Sequence, residues 1–105
     1  VTSYIYIIGS DKPPYKVGIS KNPQRRLRDL QTGHPYPLAI HSIVETPTSN
    51  NKLLESIIHR NLKHLRTSGE WFDIPLEVLK LEVDFVMIRY SEDSTIRTRI
   101  TQNIL

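Results

Sequence analysis

The first nineteen residues constrain this chain most. Tyr4 to Ile8 read Tyr-Ile-Tyr-Ile-Ile, an aromatic and β-branched run of the strand type. Gly9 to Pro14 contain Gly, Ser, Asp and two prolines, which mark a turn. Tyr15 to Ile19 then read Tyr-Lys-Val-Gly-Ile, a second short strand. The connection is of hairpin length, so the two strands are expected to pair antiparallel. With 105 residues in all, the chain has room for one core built on this hairpin and not for two.

The rest of the chain supplies what covers the hairpin. Asn22-Pro23 is a helix start, with Asn as cap and Pro at the first helical position. The helix is predicted to run to about Gln31 with Leu27 and Leu30 towards the core, and Gly33, Pro35 and Pro37 stop it. Leu38 to Val44 reads as a third strand. A second helix is predicted to end near Leu65, with a core stripe of Leu54, Ile58, Leu62 and Leu65. Thr67-Ser68-Gly69 closes it, and Trp71-Phe72 opens an extended segment. Residues 76–90 fit a helix through Leu76, Leu79, Val83 and Val86, and fit a strand through Leu79, Leu81, Val83 and Phe85. Length and the preceding Asp73-Ile74-Pro75 favour the helix. The order β-β-α-β-α-α predicts an α/β fold, a small three-stranded antiparallel sheet flanked by helices. Residues 1–90 are expected to form the domain. Residues 91–105 are a C-terminal tail or an extra element of it.

Composition removes several classes of chemistry. The chain has no cysteine, which excludes disulfides, thiolate metal sites and thiol catalysis. Its longest apolar runs are about four residues, such as Phe85–Ile88, far short of a membrane span. Charge is uneven along the chain. Residues 1–66 carry ten Lys/Arg against four Asp/Glu, whereas residues 67–105 carry four against seven, which together give the net +3. The basic two-thirds are the expected face for a nucleic-acid backbone.

Certain side chains in this basic part suit phosphate chemistry. Tyr6, Lys16 and an arginine of the Arg25-Arg26 pair can reach one sheet edge. Cations and a phenol there would meet charge developing on non-bridging oxygens. Arginines in a helix's first turn also oppose the helix dipole, an electrostatic cost that suggests a use. Glu55 and His59 stand four residues apart and share a helix face. A surface ion pair explains them equally well, but a carboxylate beside a basic patch also suits Mg²⁺. Gly69-Glu70-Trp71-Phe72 reads as a turn followed by aromatic core anchors, and Glu70 has no evident place in that reading.

Together these residues resemble the GIY-YIG endonuclease superfamily over roughly Ser3 to Ile74. Tyr4-Ile5-Tyr6 stands where that superfamily has Gly-Ile-Tyr, and Lys16-Val17-Gly18 where it has Tyr-Ile-Gly. The run from Gly18 to Arg26 resembles its path to a helix-borne arginine, and Glu55 resembles its metal-binding glutamate. A phage-rich branch is most similar, through Leu30 to Pro35, Glu55 to His59 and Gly69 to Phe72. The first glycine and the second tyrosine of the pattern are absent, being Tyr4 and Lys16 here. Its late asparagine has no counterpart that can be placed, Asn103 included.

The resemblance implies a GIY-YIG-like fold and a metal-dependent DNA endonuclease acting through one Mg²⁺ or Mn²⁺. Glu55 would hold the ion and Arg26 would stabilise the transition state. Tyr6 would contact or deprotonate the attacking water, its pKa depressed by Lys16 and the metal. Alternatively Lys16 would be the base, and His59 would orient Glu55 or carry a proton. Lys12, Lys21, Arg25, Arg28, Arg60 and Lys63 are the expected DNA-binding cations. The expected partner is DNA and not a membrane, with a homodimer or a fused recognition domain adding specificity. The expected location is the cytoplasm of a bacterium or phage-infected host cell. The alternative functions are a nucleic-acid-binding module of this fold without useful cleavage, and a protein-interaction domain with a solvated basic face.

Overall fold

The hairpin forms where the sequence places it and becomes the centre of a larger sheet. The computed structural model describes residues 2–90, the side chains of residues 47–50 and 90 excepted. In chain order the elements are β1 (Thr2–Gly9), β2 (Tyr15–Ser20), α1 (Pro23–Thr32), β3 (Ala39–Pro47), α2 (Thr48–Asn61), a 3₁₀ turn (Lys63–Leu65), β4 (Arg66–Ser68), β5 (Trp71–Phe72) and α3 (Leu76–Tyr90). The strands form one five-stranded sheet in the order β3-β1-β2-β5-β4. Every pairing is antiparallel. The predicted tail, residues 91–105 with Asn103, lies outside the described residues.

The three-stranded sheet expected from the sequence is therefore wrong. The additional strands are only three and two residues long, too short to show a period. Pairing makes them strands: Tyr15 faces Phe72 and Lys16 faces Trp71 across β2 and β5. Gly69, at φ +53°, turns the chain between β4 and β5 in a conformation that favours glycine. The second helix is likewise shorter than predicted. α2 ends at Asn61, and Leu65 packs against the core from the 3₁₀ turn.

β1 is buried on both faces, and its alternation divides the core in two. Ile5 and Ile7 join Tyr15, Val17 and Phe72 of the sheet, with Leu54 and Ile58 of α2 and Leu79, Val83 and Met87 of α3. Tyr6 and Ile8 point the other way and pack with Leu38, Leu27, Leu30 and Trp71 beneath α1. α1 starts as the sequence predicts: Asn22 Oδ1 accepts from the Arg25 N–H at 3.1 Å, and Pro23 occupies the first turn. Residues 76–90 are the helix rather than the strand. The outer side of α3 leaves Val78, Leu81, Phe85 and Ile88 exposed, and it was the exposed Leu81 and Phe85, alternating with the buried Leu79 and Val83, that gave the segment its strand-like pattern.

Candidate functional site

The candidate site forms where β5 stops. Beyond Tyr15 and Lys16, β2 has no strand partner on its outer edge among the described residues. Its backbone groups there still need partners. Val17 N–H donates to Glu70 O at 3.1 Å. Val17 O accepts from His59 Nε2 at 2.9 Å, and the Ile19 N–H donates to the Glu55 carboxylate. Two side chains one helical turn apart on α2 thus take the place of a strand. A carbonyl only accepts, so His59 carries its proton on Nε2. The ring is fixed edge-on against Phe72 at 5.1 Å.

On the other face of the sheet, Tyr6 lies directly across from Gly18. A Cβ at Gly18 would sit 2.6 Å from Tyr6 Cζ and closer still to the phenolic oxygen. Only glycine leaves room for the ring, which is 1% exposed. The phenol hydrogen-bonds with the Arg26 side chain from α1. Burial pushes the Tyr6 pKa above its ordinary value. The Arg26 hydrogen bond and charge oppose that shift, and the charges of Glu70 and Glu55 add to it. Burial thus favours the neutral phenol, opposite in direction to the depression that Lys16 and a metal were expected to cause. Its hydrogen bond in turn raises the Arg26 pKa, so that guanidinium is permanently charged.

Lys16 is buried beside them, and its Nζ donates to Glu70 Oε2 at 2.7 Å. The same ammonium lies 5.9 Å from the centre of the Trp71 ring. Lys16 is thus tied to a carboxylate and an indole. Glu70 is the residue that sequence reasoning missed. It sits in the turn before β5, and the signal was the unexplained acid in Gly-Glu-Trp-Phe.

Glu55 lies in the same electrostatic field. Burial raises its pKa and the charge of Glu70 raises it further, against His59, Lys16 and the Ile19 N–H, which lower it. A divalent cation would relieve such a carboxylate. Among the described residues, no group of three or more His, Asp or Glu side chains forms a cage. Mg²⁺ requires none, since it commonly takes one or two carboxylates and completes its shell with water and substrate phosphate. The residues present fit an ion shared with a phosphate on Glu55.

Of the sequence-predicted residues, Tyr6, Lys16, Arg26, Glu55 and His59 are brought to this edge. The six further cations are not gathered into one patch. Lys21, Arg25 and Arg28 lie on or just before α1, above one face of the sheet. Arg60 at the end of α2 and Lys63 in the 3₁₀ turn after it lie on the opposite face, and Lys12 lies in the β1–β2 turn. All six are exposed. No helix among the described residues is long and apolar enough to cross a membrane.

The model of the T5orf172 domain matches residues 3–87. Over 67 residues the chain is 34% identical to protein 315L of Invertebrate iridescent virus 6, named as a KilA-N domain-containing protein. That alignment covers 63% of this chain and 29% of the viral protein. No solved structure matches the chain. These matches overturn the GIY-YIG assignment expected from the sequence, since both lead to other families. That expectation rested on short motifs, two of them altered at Tyr4 and Lys16, whereas the family match runs through α3. The matches support the coarse role, a nucleic-acid-binding module, and a link to viral proteins.

Proposed function

The chain belongs to the T5orf172 domain family, and on that premise we propose that it binds DNA and hydrolyses its phosphodiester bonds with a divalent metal ion. The observation that supports this reading is the convergence of Arg26, Tyr6, Glu55 and the Lys16–Glu70 pair at the open edge of β2. Arg26 takes a non-bridging oxygen of the scissile phosphate and stabilises the charge that develops there. Glu55 would hold the Mg²⁺ or Mn²⁺, which would supply positive charge against the scissile phosphate. Tyr6, still protonated, fixes the attacking water through its phenolic oxygen. The water's proton passes to Glu70, which Lys16 holds in place. The water oxygen bonds to phosphorus as the P–O3′ bond breaks, and the leaving 3′-oxygen takes a proton from solvent water, leaving a 5′-phosphate and a 3′-hydroxyl.

The test is supercoiled plasmid incubated with the protein and Mg²⁺ or Mn²⁺, beside EDTA, Glu55→Gln and Arg26→Ala. Nicking by the parent alone supports the assignment, and equal nicking by all three proteins removes it. A second reading is binding without cleavage. It is favoured by one observation: the two bases suggested by the sequence are a protonated phenol and an ammonium already paired. Salt-sensitive DNA retention with no nicking selects that reading. The chain spans 29% of the length of the curated relative it matches.

A further inference from the structure

Beside Lys16, on the α1 face of the sheet, the Trp71 ring opens into a cleft of about 870 Å³. One wall is the loop after α1. His34 stacks on Trp71 with ring centres 5.8 Å apart and planes 20° apart, and Tyr36 meets His34 edge-on at 6.2 Å. Tyr36 is 65% exposed. The opposite wall is the β1–β2 turn, which carries Lys12.

Both walls are built to stay in place. Gln31 Nε2 donates to Tyr36 O at 2.9 Å, and Gln31 Oε1 accepts from Leu38 N–H at 2.7 Å, bracketing the aromatic loop. His41 Nε2 lies 2.8 Å from Ser10 O and 3.1 Å from Gly9 O, which anchors the far wall. None of Trp71, His34, Tyr36 and Gln31 has a role in the chemistry proposed above.

We propose that this cleft is a subsite for one unpaired nucleobase, held by stacking against Tyr36 and the His34–Trp71 pair while its backbone phosphates run past Lys12. Three features commit it to that occupant. One wall is aromatic and stacked, which suits a flat ring of any sequence. A cation stands at the rim. The cleft also adjoins the phosphate-directed cluster, because its Trp71 ring lies 5.9 Å from the Lys16 ammonium. A base stacked within a duplex cannot enter without leaving its stack, so the favoured ligand is single-stranded or splayed DNA. This inference rests on the DNA-binding reading above.

The chain contains a single tryptophan, so Trp71 emission reports the cleft without labelling. The experiment titrates the protein in EDTA with a thymidine hexanucleotide, with a deoxyribose-phosphate hexamer lacking bases, and with a duplex of equal length. It repeats each with Tyr36→Ala and Tyr36→Phe, substitutions at an exposed site. The expected result is quenching by the base-bearing single strand, an affinity lowered about tenfold by Tyr36→Ala and restored by Tyr36→Phe, and weaker binding of the abasic strand that Tyr36→Ala leaves unchanged. Equal binding of the base-bearing and abasic strands, or no effect of Tyr36→Ala, overturns the subsite and leaves DNA binding standing. Binding of none of the three ligands overturns the DNA-binding reading and this inference with it.

Discussion

Gly18 carries more of the site than any charged residue beside it. Its missing side chain is the space the Tyr6 ring fills. Tyr6 is too deeply buried to swing away, so Gly18→Ala is expected to cost ~1–3 kcal/mol by overpacking. It also pushes the phenol off Arg26, so chemical denaturation detects a weaker fold and plasmid nicking is lost. Glu55 gives a prediction of opposite sign. Its folded pKa lies above its unfolded one, so the ionised carboxylate costs stability at neutral pH. That cost is complete above the folded pKa and fades as pH falls through it. Glu55→Gln, which keeps an acceptor for the Ile19 N–H, should therefore melt a few degrees higher than the parent at pH 7.5 in EDTA. The gap should close near pH 4, read by circular dichroism, while nicking is lost. The identities of Tyr6, Lys16, Arg26 and Glu55 were legible in the sequence as chemically competent types. The protonation state of Tyr6 was not, because depth of burial is set by Gly18 and α1 together.

At the scale of elements, β5 decides the site although it is two residues long. By pairing with Tyr15 and Lys16 it brings Glu70 to Lys16 across 54 residues of chain. No local pattern encodes that register, which is why Glu70 stayed unplaced and the sheet was read as three strands. The hairpin, the capped start of α1 and the stripe of α2 were legible because each depends on neighbours in sequence. The Lys16–Glu70 pair is unequal: the Lys16 side chain is 8% exposed and that of Glu70 39%. Glu70→Ala strands a buried ammonium and should cost ~3 kcal/mol. Lys16→Met leaves a carboxylate able to turn to water and should cost below ~1 kcal/mol. Urea denaturation of the two variants measures the difference, and equal losses would contradict the unequal burial.

At the scale of the whole molecule, charge was legible in amount and not in arrangement. Ten cations in residues 1–66 suggested a single basic face. The fold instead distributes the six DNA-binding candidates over both sides of the sheet and a turn. A strand bound along α1 and into the edge of β2 would meet Lys21, Arg25 and Arg28 and leave Arg60 and Lys63 aside. Replacing Arg25 and Arg28 together by Ala should flatten the salt dependence of single-strand binding by about 1.4 logarithmic units per decade. The same change at Arg60 and Lys63 should leave the slope unaltered, both read from titrations at several salt concentrations. The double-sided burial of β1 has a further consequence. Ile5 and Ile7 belong to one core and Tyr6 and Ile8 to the other, so a single strand is the shared wall of both. Loss of β1 would open both halves at once, and a defect behind α3 would reach the Tyr6 phenol through that strand. The two halves are therefore expected to unfold together, with the central strand as their common point of failure.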